Sequence, residues 1–326
     1  NTEQDGLNAG EKSRFITQLE VEKKLESTFV NPKVPSLSSQ LLEIEKTPAV
    51  IKKLEKQAAY GFSPSALTTY IRNPLDFYKR YVLGIKEEQE VEETVAANTL
   101  GTIIHDSLEQ MFLPFVGKEI CKEDVEKLVK TSDDEVLKQF KKVYKNAPIH
   151  KGKNLLIHEV AKRYLHNFFQ FQKNELTQHS VQIISLEAEE KIQVEIPQLQ
   201  TPVFIKGKVD RLDSLDGIKR IIDYKTGKVE AKDVTIKDWD LLGTDYKFSK
   251  AFQVLCYAKM ILKDEDYDKA QGGIISFKNL KSGFLELKEG KETLISKEMM
   301  IQFDEVLQNL ILEILNPEIP FKEKEV

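Results

Sequence analysis

Two aspartates and a lysine in the segment GKVDRLDSLDGIKRIIDYKTGK, residues 207–228, have the types and spacing to hold a metal ion. The Asp216-Gly217 pair favours a tight two-residue turn, because glycine accepts positive φ at no steric cost and aspartate tolerates it. Runs of strand character flank it, from Phe204 to Leu212 and from Ile218 to Tyr224. With Asp216 and Gly217 at the centre of the turn, Leu215 pairs with Ile218, Leu212 faces Ile221, Arg211 faces Ile222 and Asp210 faces Asp223. Directly opposed side chains stand roughly 5 Å apart at Cβ, where like charges destabilise the pair. Lys225 follows Asp223 by two residues and projects from the same face. A one-residue bulge would break this register.

Two readings of the cluster stand side by side. In the first, the aspartates lie on a solvated sheet face and Lys225 neutralises them. In the second, a hard divalent cation bridges them, since carboxylate oxygens suit Mg²⁺ or Mn²⁺ and the cation removes the repulsion. On the second reading, truncating Asp210 relieves the metal-free protein of that repulsion and raises its stability.

The surrounding elements decide what else can reach the hairpin. GTIIHDSLEQMF, residues 101–112, reads as a helix with Ile104, Leu108 and Phe112 near one stripe, and it carries His105 and Glu109 one turn apart. A lone histidine on such a helix is ordinarily a packing or surface residue. VQIISLEAEEKIQVEI, residues 181–196, alternates as a strand, with Ile184, Leu186 and Ala188 on one side and Glu187 and Glu189 on the other. SKAFQVLCYAKMILK, residues 249–263, reads as a helix that presents Gln253 and Tyr257 together. Ser63 or Ser65 caps a helix that Asn73-Pro74 interrupts. Helices are expected over about 122–143 and 155–173, where His158 and His166 read as structural, then two late strands in GGIISFKN and GFLELKEG, and a closing amphipathic helix. Residues 1–60 show charged, intermittent helical periodicity broken by the loop-like NPKVPSLSS, where Ser38 or Ser39 is a possible cap, and KEEQEVEET after Ile85 reads as a solvated loop.

Composition narrows the class. The chain has 326 residues, 40% hydrophobic and 31% charged, enough for one large core or two small ones. No apolar run approaches the ~20 residues of a membrane span, and no secretory signal is visible. Two cysteines, Cys121 and Cys256, give no disulfide framework, so a reducing cytoplasm is expected. A net charge of −5 gives no global case for nucleic acid, yet residues 206–232 hold eight Lys/Arg against five Asp/Glu. No phosphate-binding Gly-rich loop and no Ser–His–Asp or Cys–His arrangement competes for the chemistry.

The order of these pieces resembles the PD-(D/E)xK nuclease superfamily, in its RecB-like and AddB-like branch. That branch carries a Gly-x-x-x-His motif, a glutamate on the first strand, Gly-x-Val/Ile-Asp-Arg, Asp-Tyr-Lys-Thr-Gly and a Gln-x-x-x-Tyr helix. Here they match Gly101–His105, Glu187, Gly207–Arg211, Asp223–Gly227 and Gln253–Tyr257. Each motif alone is weak; five in order are specific, and the likeness runs from about Phe62 to Phe321. It implies an α/β fold with a restriction-endonuclease-like core, a mixed central β-sheet flanked by helices. The expected division is a helical N-terminal extension over 1–60 and a nuclease domain over 61–326.

The resemblance also implies a site. Asp210, Asp223 and His105 would bind Mg²⁺ or Mn²⁺ with the Tyr224 backbone carbonyl, and Lys225 would stabilise the charge that builds at phosphorus. Glu187 would orient water or help a second cation, with Glu189 its substitute. Gln253 and Tyr257 would brace the hairpin or touch DNA, unless they are an ordinary half-buried helix face. Arg211 faces away from Asp210 and reads as a structural ion pair. The implied activity is metal-dependent hydrolysis of DNA ends or single strands in double-strand-break repair and recombination. The implied setting is the C-terminal nuclease part of an AddB-like protein, beside a helicase domain or subunit. The alternative is an inactive DNA-binding or scaffold subunit, against which the intact Asp210, Asp223 and Lys225 speak. One departure stands out: many relatives hold an iron–sulfur cluster whose first cysteine precedes a proline, and here Asn73 precedes Pro74, so no cluster is expected.

Overall fold

The computed structural model describes residues 13–24, 41–85, 97–143, 149, 151–263 and 266–324. The expected loops at 31–39 and 86–94, with the caps at Ser38 and Ser39, lie outside the described residues. The chain divides into two compact units, residues 1–40 and 41–326. The first contains helix α1 (Arg14–Val21), which buries none of its residues. The second contains all that follows.

Its elements in order are β1 (Glu43–Ile44), α2 (Pro48–Tyr60), α3 (Pro64–Arg72), α4 (Pro74–Phe77), α5 (Ala97–Phe112), β2 (Glu119–Ile120), α6 (Lys122–Val143) and α7 (Gly152–Glu175). Then come β3 (Val181–Val194), β4 (Val203–Leu215), β5 (Ile218–Lys225), β6 (Thr235–Ile236), α8 (Trp239–Leu242) and α9 (Ser249–Ile261). The chain closes with β7 (Ala270–Ser276), β8 (Phe284–Glu286), β9 (Lys288–Glu289), α10 (Lys297–Leu315) and β10 (Phe321–Lys322).

The central sheet has six strands in the order β2-β3-β4-β5-β7-β8. It is mixed: β5 and β7 run parallel, joined through α9, while the other pairs are antiparallel. A parallel pair needs a crossover, and α9 supplies it. Two cores flank the sheet. One gathers α2, α3, α9 and α10 around Ile205, Val209, Ile221 and Ile274. The other gathers α5, α6 and α7 around Ile183, Ile222, Tyr224 and Ile275. Helix α2 gives Leu54 and Ala58 to the first core, so residues 41–60 pack as part of the same body as the sheet.

Local chemistry sets the helix boundaries. Ser63 caps α3, its hydroxyl accepting the Ala66 N–H at 3.1 Å, and Asn73 ends that helix and caps α4 by accepting the Leu75 N–H at 3.0 Å. Pro74 then stands at the first helical position, where its missing N–H costs nothing. Helix α10 buries Met299, Phe303, Leu307, Leu310 and Ile314 at three- and four-residue spacing; each such side chain contributes about 1.5–3 kcal/mol relative to exposure. Lys46 closes its far end, donating to the Glu313 and Asn316 carbonyls at 2.8 and 3.1 Å. Among the described residues no helix is long and apolar enough to cross a membrane.

Candidate metal centre

The hairpin folds in the expected register. Its ladder runs from Leu215 opposite Ile218 to Arg211 opposite Ile222. Asp216 and Gly217 have φ of 50° and 90°, both positive, as the tight turn between twisted strands requires. The ladder stops one step short of Asp210 and Asp223. Here the Asp210 side chain takes over, its Oδ2 accepting the Tyr224 backbone N–H at 2.6 Å.

Asp210 sits at a bend. Val209 belongs to the α9-side core, whereas Arg211, two residues on, reaches into the α5–α7 side and stacks over the Phe112 ring at 4.9 Å. In a regular strand these two side chains would share a face. Across the pair, between Leu186 opposite Arg211 and Ala188 opposite Val209, Glu187 has a φ of 48°. A non-glycine residue there costs on the order of 1–3 kcal/mol, and such strain gathers at functional sites. A second irregularity, between Ile183 and Ser185, sends Ile184 to one core and Leu186 to the other. The expected common face for Ile184 and Leu186 is therefore not formed, because an extra residue in one strand reverses the alternation beyond it.

Arg211 anchors this geometry from behind. It is fully buried, with its Nη2 2.5 Å from Asp213 and its Nη1 donating to Gln172 at 2.9 Å. Arg220 also grips Asp213, at 2.8 and 2.9 Å, and reaches Glu175 of α7 at 2.7 Å. These charges tie β4 and β5 to α7, and leave Asp210 on the other side of its backbone.

His105 enters from α5. Its Nε2 donates to the Tyr224 carbonyl at 3.0 Å and its Nδ1 lies 3.2 Å from Asp210 Oδ1. Both ring nitrogens thus face acceptors, a setting that suits the doubly protonated ring. Burial disfavours that charge, but the hydrogen bond and charge of Asp210, with Asp223 and Glu187 nearby, outweigh it and raise the His105 pKa. Among the described residues, His105, Glu187 and Asp210 form the one group of three His, Cys, Asp or Glu residues whose donor atoms all lie within 4.8 Å of one another.

Asp223 and Lys225 form a pair beside this group. Lys225 Nζ lies 2.8 Å from one Asp223 oxygen and 2.7 Å from the other. Asp223 is only 2% exposed, and burial, together with the Asp210 charge, raises its pKa against the opposing pull of Lys225. Burial works against the Lys225 charge, but Asp223 and Asp210 leave its pKa raised. The opposed aspartates are thus each partnered, Asp223 by Lys225 and Asp210 by His105 and the Tyr224 amide. Removing Asp210 would thus relieve its repulsion of Asp223 but also take away the partner of His105 and of the Tyr224 amide.

The remaining residues are placed as follows. Glu187 is paired with Lys208 at 2.8 Å, and burial raises its pKa despite that lysine. The alternating pattern gave no warning of Lys208, although its place two residues before Asp210 is a usable signal. Glu189 is exposed and stands opposite Lys208 in the ladder, outside the donor group. On α9, Gln253 donates to the Tyr257 hydroxyl at 2.7 Å. Tyr257 is buried and near enough to Asp223 and Asp210 for their charges to raise its pKa further. Gly207 lets it approach: a Cβ there would lie 2.8 Å from Met260 Cε and 3.4 Å from the Tyr257 ring.

The donor set fits a divalent cation. The His105 imidazole and the Asp210 and Glu187 carboxylates converge, the Tyr224 carbonyl lies 3.0 Å from His105 Nε2, and both Asp223 oxygens stand beside them on Lys225. The place where the resemblance puts a cluster cysteine does not fit one. Asn73 uses its side chain to cap α4 and to reach the Lys324 carbonyl at 3.5 Å.

Residues 61–325 match the PD-(D/E)XK nuclease superfamily. The chain belongs to that superfamily. Asp223-Tyr224-Lys225 of this nuclease-family chain has the (D/E)XK pattern of that name. Over 235 residues it is 28% identical to an ATP-dependent helicase/deoxyribonuclease subunit of Streptococcus pneumoniae (strain CGSP14), covering 69% of this chain and 20% of that protein. The exonuclease/helicase subunit RexB of Streptococcus pneumoniae serotype 4 matches with the same identity and coverage. An ATP-dependent helicase/deoxyribonuclease subunit of Clostridium tetani is 24% identical over 237 residues, 67% of this chain and 19% of that protein. The chain thus spans about a fifth of the length of the curated relatives it matches.

Proposed function

We propose that this chain hydrolyses phosphodiester bonds in DNA with the help of Mg²⁺ or Mn²⁺, as an exonuclease on ends or single strands. The observation that carries this reading is the convergence of His105, Asp210 and Glu187 beside the Asp223–Lys225 pair. His105, Asp210, Asp223 and the Tyr224 carbonyl would hold the ion. When bound, the cation neutralises the carboxylates, polarises the phosphodiester and makes water a better nucleophile.

The chain's own groups do the rest. The Lys225 amine, released from Asp223, places a positive charge where negative charge grows on the phosphoryl oxygens. Glu187, whose pKa burial raises, orients the attacking water. Gln253 and Tyr257 hold α9 against Gly207 and keep β4 aligned with Asp223. Residues 61–326 form the catalytic domain, with helix α2 packed into its core.

DNA rather than RNA is proposed because the relatives bear the name deoxyribonuclease, and a helicase domain or subunit because the same names pair the two activities. The setting is cytoplasmic double-strand-break repair and recombination. The test is digestion of labelled linear duplex, circular and single-stranded DNA with Mg²⁺, Mn²⁺ or EDTA. Release of short products from free ends with either cation, and none in EDTA, is expected. Cleavage that persists in EDTA would sink the metal requirement, and cutting of closed circles would sink the exonuclease assignment.

A further inference from the structure

A cleft of ≈ 600 Å³ opens at the start of α9, walled by the end of α3, the loop at residues 244–250 and the chain around Lys324. Four cations line it, Arg72, Lys247, Lys250 and Lys324, against the carboxylates of Asp233 and Asp245. Their charges are loosely matched. Lys247 is 86% exposed and lies 3.8 Å from Asp245, and Lys250 lies 4.0 Å from Asp233. Lys324 donates to the Ile71 carbonyl at 3.0 Å, a neutral partner that leaves its charge in the cleft. Arg72 alone has a close carboxylate, Asp76 at 3.0 Å. A concave wall with surplus positive charge focuses its field on an anion. On the same wall Tyr246 is 46% exposed.

Helix α9 joins this cleft to the metal centre. Ser249 lines the cleft, and Gln253 and Tyr257 follow at four-residue steps along the same face. Each helical turn advances about 5.4 Å, so the two places are about two turns apart. Tyr257 feels the charges of Asp223 and Asp210 at one end, and Tyr246 lies within electrostatic range of Lys225.

We propose that this cleft is a track for one DNA strand, holding phosphates on Lys247, Lys250 and Arg72 and a base stacked on Tyr246, on its way to or from the metal centre. The proposal deepens the hydrolytic reading above and rests on it for where the strand leads. A single strand fits better than a duplex, because only unpaired bases offer a free ring face to tyrosine. Lysines paired at 3.8–4.0 Å give up little when they exchange a carboxylate for a phosphate.

The test is fluorescence anisotropy of a labelled oligothymidine strand with the full chain in EDTA, where binding is read without cleavage. The double variant Lys247→Ala/Lys250→Ala should weaken binding about tenfold or more near ~0.1 M salt, and should flatten the slope of log affinity against log salt by about 1.4, at ~0.7 per phosphate. Tyr246→Ala should weaken binding about tenfold with the slope unchanged, as loss of one stacked base requires. A blunt duplex of the same length should distinguish the variants from the parent far less. Unchanged affinity and slope in the lysine variant, or an equal loss on the duplex, overturns the track. A chain that binds and loses affinity as described but never cleaves with Mn²⁺ supports the track and sinks the hydrolytic reading. One that cleaves with Mn²⁺ but binds alike in all variants does the reverse.

Discussion

Asp210 Oδ2 accepts the backbone N–H of Tyr224 at 2.6 Å, closing the β4–β5 hairpin where its ladder ends. The same carboxylate faces His105 with its other oxygen. Asp210 is therefore both a candidate ligand and a structural clasp, and the two roles can be separated. Asp210→Ala should lower the stability of the metal-free protein by about 1–3 kcal/mol, the cost of orphaning a buried donor. Asp210→Asn keeps an oxygen for the Tyr224 amide and should retain most of that stability while losing Mn²⁺ affinity. Urea unfolding in EDTA and calorimetric Mn²⁺ titration of both variants check this. A more stable Asp210→Ala would show that repulsion from Asp223 dominates after all.

Asp213 holds two buried guanidinium groups, Arg211 and Arg220. Asp213→Ala should cost about 3–5 kcal/mol, because it leaves buried charge uncompensated. Denaturant midpoints measure it. A loss below ~1 kcal/mol would mean that Glu175 and Gln172 already suffice.

Gly207 gives α9 its close approach to β4, with Met260 at 2.8 Å and Tyr257 at 3.4 Å from the site of a Cβ. Because the Met260 methyl is the flexible end of its side chain and can move aside, Gly207→Ala should cost less than about 1 kcal/mol. Met260→Ala added to it should recover part of that loss. A double-mutant cycle on melting temperature reads the coupling, and strict additivity would contradict it.

Burial pushes the Lys46 amine down to about 8 from its ordinary 10.5, with Glu313 opposing the shift. Between those values the unfolded chain binds more protons than the folded one, so stability should rise with pH from about 8 to about 10.5. Below about pH 8 both states are protonated and the contribution is flat. Stability profiles of the parent and Lys46→Met against pH, subtracted one from the other, should show that rise. A difference that is level across the window would place the Lys46 pKa near its ordinary value.

The hairpin register was legible because it depends only on neighbours in sequence. Asp216-Gly217 fixes the turn, and the alternation on either side fixes which residues oppose. The α3–α4 break at Asn73-Pro74 was legible for the same reason. The switch of Leu186 to the α5–α7 core was not, since the irregularity at Ile183–Ser185 arises only when β3 meets β4. That Lys225 neutralises an aspartate was legible from their shared face, but not that the aspartate is buried, as Asp223 is. Lys208 on Glu187 and Arg220 on Glu175 likewise join strands and helices far apart in sequence. The cleft at α9 escaped notice because its cations come from positions 72, 247, 250 and 324.

The most direct test of the central claim is cleavage of labelled single-stranded DNA by the parent and Lys225→Ala, each in Mn²⁺ and in EDTA, with Mn²⁺ binding measured on the same samples. The parent should cleave in Mn²⁺ alone. Lys225→Ala should bind Mn²⁺ at least as well, since Asp223 is freed, yet cleave about 100-fold more slowly or worse, the scale of losing one charge-stabilising donor. Equal cleavage by the two proteins, or a parent that binds Mn²⁺ and never cuts, would contradict it.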